Sequence, residues 1–394
     1  CNLKVSRSER TRLQIKEAAE ELFSRLGFEM TSVANICRTC GLSNGAFYRH
    51  YTGKEQVFKE IVQDIKTRFE SASASVMGNT IEEKLYNLYR KVFDILWESR
   101  RKFIAFHEAE YMFPDVENSV DKTYKDALLS TVINDRSPLS MPELWFLIGS
   151  SRFAAIYWII YNDTRVPDST VRSLVDFALN GFVKSDELDR RSLDFTLDEV
   201  RADGEGKAKE VILMAAEKLM GEKGYFGTSI YDITSKAGYG QGTFYLHFES
   251  KGKLLQELVY QANRNLRRTM RDAVSGVEGR LNKEIRSFKA FLLFMDVHKE
   301  LYNIVRESEF VQPETGRFYY ERLLTSYIRA LEESRLKDEI RSIDSRDLGV
   351  FLMGIGHFMG LDLLFKLKKD HEKWNEYLLE LASLMAKGYG GAFS

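Results

Sequence analysis

Ala46-Phe47-Tyr48-Arg49-His50-Tyr51 returns later in the same chain as Thr243-Phe244-Tyr245-Leu246-His247-Phe248. Around it, Thr31-Ser32, Gly41, Gly45 and Lys54 recur as Thr228-Ser229, Gly238, Gly242 and Lys251, each pair 197 positions apart. A gap-free echo through a stretch punctuated by glycine marks a duplicated structural unit. The repeat runs on beyond this stretch. Phe103 to Pro114 aligns with Tyr302 to Pro313 at an offset of 199, and the apolar run from Trp145 to Tyr161 aligns with Leu348 to Phe365 at an offset near 205. The slow growth of the offset is what a few loop insertions produce. The chain therefore reads as two copies of a unit of roughly 195 residues, within the ordinary domain range.

Within each copy the first 50 residues or so read as three short helices. Ile15, Ala18, Ala19, Leu22 and Phe23 recur at helical spacing, and the second copy repeats the stripe as Ile212, Ala215, Ala216, Leu219 and Met220. Gly27 and Gly224 are placed to stop that helix. Thr31 and Thr228 are placed to N-cap a second helix, Thr31 to Cys40 in the first copy, with Val33, Ile36, Cys37 and Cys40 facing inward. Gly41 supplies the left-handed residue of a tight turn and Leu42 plugs the core beneath it.

The third helix, Asn44 to His50, has two faces. Phe47 and Tyr51 lie four apart on a buried face, whereas Asn44 and Tyr48 lie four apart on another, near Ala46, Arg49 and His50. Ser43 stands just ahead of it. Polar groups at the start of such a helix suit a major groove: Asn44 or Gln241 can bond base edges, and Tyr48, Tyr245, His50 and His247 can reach phosphates, with Thr243 alongside. Lys54 and Lys251 open the next helix, where a cation and the helix N-terminus together favour phosphate. The residues read as facing DNA are thus Thr31, Ser43, Asn44, Ala46, Tyr48, Arg49, His50 and Lys54, with Thr228, Gln241, Thr243, Tyr245, His247 and Lys251.

On these residues each head resembles the N-terminal domain of the TetR family of bacterial transcriptional regulators. Thr228 to Leu254 follows the family pattern nearly throughout, with Gly240 where serine is usual. The first copy departs at Asn35, Cys37, Cys40, Ala46 and Thr52-Gly53. The resemblance implies an all-α protein of two tandem units, each a three-helix helix-turn-helix head followed by a helical-bundle regulatory domain, the two forming an intramolecular pseudo-dimer. The expected boundaries are 1–54 and 207–251 for the heads, 55–186 and 252–394 for the regulatory domains, and 187–206 for the linker. The resemblance also implies that Pro142–Asn162 with Val171–Lys184, and Asp347–Leu367 with Glu372–Lys387, form the dimerisation helices. Small residues there, Gly149, Ser150, Ala154 and Ala155 with Gly354, Gly356 and Gly360, would let helices approach closely.

The resemblance further implies a small-molecule pocket among the middle helices. The residues proposed for it are Trp97, Phe103, Phe106, Glu110, Tyr111, Tyr124 and Trp158 in the first copy, with Phe291, Phe294, Tyr302, Glu309, Phe310 and Tyr320 in the second. Such aromatics are equally ordinary bundle core. Glu108 with Glu110, and Glu307 with Glu309, stand out because acids beside aromatics can receive a cation or a polar ligand head, or pair with arginine.

Composition agrees with two helical cores: of 394 residues 44% are apolar and only 5 are proline. A net charge of −1 hides a local excess of cations at the heads, nine Lys/Arg against six Glu over residues 1–55 and seven basic against five acidic over 207–254. The linker is acidic and reads as a solvated tether. No run reaches the roughly 20 apolar residues that span a bilayer, and no signal-peptide pattern is seen, so the expected address is cytoplasmic and no membrane is a partner. Cys37-Arg38-Thr39-Cys40 spells a C-x-x-C without a second ligand pair, so the thiols read as core and no metal or cofactor is expected. His107-Glu108-Ala109-Glu110 lacks the second histidine of a zinc-protease helix, and no catalytic residues are assigned. The expected partners are double-stranded DNA with an imperfect palindromic operator, and a small-molecule effector that releases a repressor. A regulator switched by a partner protein, or not switched at all, is the alternative. Association of two chains is left open.

Overall fold

The computed structural model describes residues 6–109, 112–130, 139–197, 208–367 and 370–390. Among them the first copy contributes α1 (Arg7–Leu26), α2 (Val33–Cys40), α3 (Asn44–Tyr48), α4 (Lys54–Ser73), α5 (Ile81–Glu98), α6 (Arg100–Ala109), α7 (Pro114–Leu128), α8 (Met141–Tyr161) and α9 (Asp168–Asn180). The second contributes α10 (Ala208–Lys223), α11 (Ile230–Ala237), α12 (Gln241–His247), α13 (Lys251–Ala273), α14 (Arg280–Val297), α15 (Lys299–Val311), α16 (Pro313–Leu336), α17 (Ser345–Lys366) and α18 (His371–Lys387). The one β element among the described residues is an isolated bridge between Val183 and Ile340.

The helix signals in the sequence act as expected at most ends. Ser6 and Glu9 close a reciprocal cap on α1, whose buried stripe is Ile15, Ala18, Ala19, Leu22 and Phe23. Gly27 and Gly224 follow α1 and α10 at φ 86° and 73°, a region where only glycine is unstrained. Gly41 and Gly238 end α2 and α11 in the left-handed conformation.

The caps of α2 and α11 differ from the expectation. Ser32 and Ser229, one residue later than the threonines, accept the first helical amides. Thr31 and Thr228 are each only 1% exposed, and their hydroxyls donate back to the Gly27 and Gly224 carbonyls at 2.7 and 2.8 Å. A threonine whose hydroxyl is spent on the turn beneath it cannot also cap the helix. Val33, Cys40 and Leu42 are half-buried, so the inward face of α2 is carried mainly by Ile36 and Cys37.

Contacts divide the chain into two units, and not at the linker. One comprises residues 1–138 with 155–175, the other 139–154 with 176–394. The beginning of α8 and the end of α9 pack with second-copy helices. In that second unit Phe146 stacks on Phe177 at 4.5 Å between ring centres, Phe177 meets Phe351 at 5.5 Å, and Trp145 lies on Phe358 at 5.6 Å. Trp145 Nε1 also donates to Asp362 Oδ2 at 2.8 Å. Gly149 and Gly354 cross backbone to backbone, so close that a Cβ on Gly354 would stand 2.3 Å from the Gly149 carbonyl oxygen. Here the small residues do what their pattern suggested.

The described part of the acidic linker is not solvated throughout. Ser192 and Leu193, in a short 3₁₀ turn, are buried, and the Asp189 amide donates to Asn282 Oδ1 at 2.8 Å on α14. Its remaining residues, 198–206, lie outside the described ones. The expectation about bilayer-spanning runs also fails: Met141–Tyr161 and Ser345–Lys366 are long and apolar enough, with mean hydropathy 1.3 and 1.8. Some 83% of each such window is buried within the protein, so both serve as core helices.

Candidate nucleic-acid interface

In both heads the third helix hangs on one aromatic that the core swallows whole. Phe47 and Phe244 are 0% exposed, and the following Tyr51 and Phe248 close the same pocket at 2% and 5%. This fixes the helix's rotation and turns the intervening tyrosines outward, leaving Tyr48 58% and Tyr245 56% exposed. Each stands edge-on to its buried neighbour, 5.4 Å between ring centres, which restricts the side chain before any partner arrives.

Ser43, Asn44, Arg49, Gln241 and His247 are exposed beside these tyrosines, while His50 and Thr243 are half-buried. Ser43 also caps α3 by accepting the Ala46 amide at 3.2 Å, a bond that Gly240 cannot provide for α12. Ala46, 8% exposed, is buried beside them. Thr31 and Thr228, buried in their turns, leave the candidate surface.

Lys54 and Lys251 have a different task from the one expected. Lys54 Nζ donates to the Phe28 carbonyl at 2.7 Å and the Glu29 carbonyl at 3.3 Å, and lies 4.4 Å from the centre of the Phe28 ring. Lys251 Nζ donates to Tyr225 and Thr228 carbonyls at 2.7 and 2.8 Å, over the Tyr225 ring at 4.1 Å. Burial lowers the pKa of both ammonium groups. The Phe28 and Tyr225 carbonyls also accept the Thr31 and Thr228 amides, at 3.2 and 3.4 Å, so each lysine joins a hydrogen-bonded turn and ties the base of its head together.

A carboxylate from the regulatory domain reaches the same turn. Glu108 of α6 is 5% exposed and accepts the Phe28 amide at 2.5 Å; Glu307 of α15 accepts the Tyr225 amide through both oxygens at 2.9 Å. A Cβ at Gly27 would come within 2.5 Å of the Glu108 carboxylate, a second reason for glycine there. Burial raises the Glu108 pKa to about 7 against the downward pull of the Phe28 amide. These acids are clamps on the turn, not the ligand-facing groups that their aromatic neighbours suggested.

Other residues of this region escaped the sequence reading. Arg12 donates to the His50 carbonyl at 2.9 Å, pairs with Glu60 at 2.7 Å and covers the Tyr51 ring at 4.4 Å. Lys209, at the equivalent position, lies 5.7 Å from the Phe248 ring centre. The 197-residue offset relates Arg12 to Lys209, and that was the available signal. Tyr231 and Tyr239, 65% and 37% exposed around α11 and its turn, replace Ala34 and Leu42 of the first copy. Cys37 and Cys40 are free thiols directed at the Ser43 and Cys37 carbonyls at 3.8 and 3.6 Å.

The residues expected around an effector divide. Phe291, Tyr302 and Tyr320 line an apolar cavity of about 50 Å³ in the second unit, whereas Phe294, Glu309 and Phe310 are not among its lining residues. Phe294 packs on His298 instead, at 4.6 Å, and Glu309 lies against Gly316. In the first copy Phe103, Phe106 and Tyr124 are buried, Trp97 is half-buried under Arg100, and half-buried Trp158 has a buried Nε1 without a protein partner. Glu110 and Tyr111 lie outside the described residues.

The family model for bacterial regulatory proteins of the tetR family matches residues 15–61 and again 212–258. The HTH-type transcriptional regulator YerO of Bacillus subtilis is 26% identical over 198 residues, which cover 46% of this chain and 65% of YerO. The HTH-type transcriptional repressor DhaR of Mycobacterium sp. is 28% identical over 169 residues, 40% of this chain and 81% of DhaR. Among solved structures, a transcriptional regulator from Aquifex aeolicus covers 45% of this chain and 99% of its own at 21% identity and a TM-score of 0.39. Both family matches run from the buried stripe of the first helix through the tyrosine-bearing third helix into the helix that carries Lys54 or Lys251. The N-terminal domain of the tetR family of bacterial regulatory proteins is thus present twice in tandem in this chain, at residues 15–61 and 212–258.

Proposed function

We propose that this chain is a sequence-specific, double-stranded-DNA-binding transcription regulator that serves as its own dimer, a repressor released by a small molecule. The observation that carries the DNA reading is the repeated exposure of Tyr48 and Tyr245 on short helices held by a buried phenylalanine, with Asn44 or Gln241 at their start. Amide side chains read adenine edges, and tyrosine hydroxyls donate to phosphate oxygens. A duplicated head in one chain presents two readers at an effective concentration that no dilute homodimer reaches. The two heads would engage half-sites on one DNA face, about 34–36 Å apart.

Release needs a link from the regulatory domains to the heads, and the Glu108 and Glu307 clamps supply a candidate in each copy. A ligand that shifts α6 or α15 would move the turn to which the carboxylate is bonded, and with it the head. It need only favour a state in which the two heads no longer match the half-site spacing. The second reading, a regulator without a small-molecule effector, draws support from the apolar cavity: about 50 Å³ is well below the several hundred Å³ of ordinary ligand sites. Titrating a selected operator duplex against the full chain, with mass measurement of the complex, tests the first claim. One chain per duplex is expected, and an obligatory second chain would overturn the self-contained dimer. Screening small molecules for DNA release separates the two readings of control.

A further inference from the structure

The apolar cavity has a neighbour in the same unit. Met270, Leu323 and Tyr327 line it and also line a second, wider cleft of about 490 Å³ in the same unit, between α13, α14 and α16. The two spaces share these three wall residues and differ in chemistry. The inner one is walled by Phe288, Phe291, Leu352 and other apolar groups, whereas the outer one carries Arg267, Arg271, Arg280, Lys283, Arg329 and Lys337 against the single acid Glu333. Two buried polar atoms, one lining each space, lack a protein partner. Arg280 is 6% exposed; its guanidinium pairs with Glu284, which also accepts from Tyr327 Oη at 2.8 Å, yet its buried Nε donates to no protein acceptor. The buried hydroxyl of Tyr319, a lining residue of the inner cavity, is likewise unbonded.

The first copy repeats this chemistry only in part, keeping Lys84 where the second has Lys283. At the offset of 197 that relates the heads, Arg267 and Arg271 correspond to Glu70 and Ala74. At the offset of 199 that relates Pro114 to Pro313, Arg280, Glu284, Tyr319 and Arg329 correspond to Ile81, Leu85, Val120 and Ser130. Four cations are thus replaced by one acid and three neutral residues, and the unbonded hydroxyl by an isopropyl group. Gene fusion permits this, because the halves of a single chain are free to diverge where those of a homodimer are not.

From this pairing of a cationic mouth with an apolar inner chamber we infer that the second copy alone is the sensor, and that its ligand is an amphipathic organic anion. The anionic head sits among Arg267, Arg271 and Arg280, and a short apolar tail passes between Met270, Leu323 and Tyr327. The inference rests on the effector reading above and gives it a ligand class and a place. Arginine suits the head because its planar donors match a carboxylate or phosphate in two bonds, and a low-dielectric floor strengthens them. The crowding is visible in Arg267, whose pKa is lowered by burial and by the neighbouring Arg322, Arg271 and Arg264. An anion relieves that repulsion. The inner chamber as it stands takes only a few methylene groups, so longer tails must push Phe291 or Tyr302 aside.

Calorimetric titration of the full chain with straight-chain carboxylates of six to twelve carbons, and with the ten-carbon alcohol and amine, tests the site. One carboxylate per chain is expected, with the alcohol and amine weaker by about tenfold or more, the loss of one good charged contact. Arg267→Ala with Arg271→Ala should cut carboxylate affinity by at least that factor and leave the alcohol unchanged; Met270→Trp should block all three at the shared wall. Two carboxylates per chain, equal binding of alcohol and acid, indifference to the arginine pair, or no binding at any chain length would each overturn the assignment. Operator affinity measured alongside keeps the two claims apart. A carboxylate that binds as expected without loosening DNA overturns release by effector and leaves the site standing. One that releases DNA equally from the arginine variant overturns the site and leaves release by effector standing.

Discussion

Side chains that look alike in sequence do unlike work in the heads, and burial is what separates them. Tyr48 and Tyr245 project from the molecule, so replacing either with alanine should leave helicity intact and weaken operator binding by about 1–2 kcal/mol, the loss of a phosphate contact made by an ordered side chain. Lys54 and Lys251 are spent on carbonyls, so Lys54→Ala should lower the melting temperature of the head while leaving the salt dependence of DNA affinity nearly unchanged. A salt slope reduced by about one ion would instead return the lysine to the phosphate backbone. Glu108 supplies a pH-dependent expectation. Burial raises its folded pKa from 4.5 to about 7, so protonation is favoured in the folded state. Its stabilising contribution is fully present below pH 4.5, is lost as pH rises through about 7, and beyond that remains as a constant cost. The cost is at most about 3–4 kcal/mol, since each pKa unit is worth about 1.4. Glu108→Gln keeps an acceptor for the Phe28 amide without the charge. The variant should therefore gain on the parent in melting temperature between pH 5 and pH 8, and a gap that does not change with pH would show that the carboxylate is not the titrating group. Sequence could place Glu108 beside aromatics but not against Phe28 N, because the two are 80 positions apart.

Helices were legible to the extent that each carried its own signal. The apolar stripes of α1 and α10, the glycines at their ends and the left-handed turns at Gly41 and Gly238 are local, and all appear where the spacing puts them. Capping was misplaced by one residue because Thr31-Ser32 offers two hydroxyls, and only the tertiary partner, the Gly27 carbonyl, decides which one is taken. The burial of Ala46 is hard to read for a similar reason: on so short a helix one residue of rotation separates core from surface. The apolar run of α8 reads in sequence as beginning only after Arg152, although burial makes both it and α17 continuous core helices. Their crossing can be tested at one atom. A methyl on Gly354 would meet the Gly149 carbonyl oxygen at 2.3 Å and Phe153 Cβ at 2.7 Å, whereas one on Gly356 meets only the edge of the Phe288 ring, at 3.2 Å. Gly354→Ala should therefore cost about 1–3 kcal/mol by forcing the helices apart, and Gly356→Ala less, in thermal or urea unfolding. Equal losses would mean that the backbone crossing is not the tight point.

At the scale of the molecule, duplication in one chain removes the constraint that both readers be identical, and the two third helices have used that freedom. The first copy presents Ser43-Asn44-Gly45-Ala46 and Arg49, the second Gly240-Gln241-Gly242-Thr243 and Leu246. Asn44 and Gln241 differ in reach by one methylene, and Arg49 carries a charge where Leu246, 81% exposed, offers only an apolar surface. Exposed tyrosines at 231 and 239 widen the second head's surface where the first has Ala34 and Leu42. Each difference bears on direct readout: amide reach selects which base step is bonded, and an apolar side chain favours a thymine methyl over a charged edge. The operator is therefore expected to be an imperfect palindrome, each half preferring its own bases by roughly 1–3 kcal/mol per position. Exchanging residues 43–49 with 240–246 should reverse the preferred orientation of an asymmetric site without changing its spacing, because spacing belongs to the regulatory domains and orientation to the readers. Selection of sites from random DNA, run on the parent and on the exchanged chain, measures both quantities. A symmetric consensus that the exchange leaves untouched would mean that these residues hold the backbone rather than read bases, and the divergence of the heads would then need another cause.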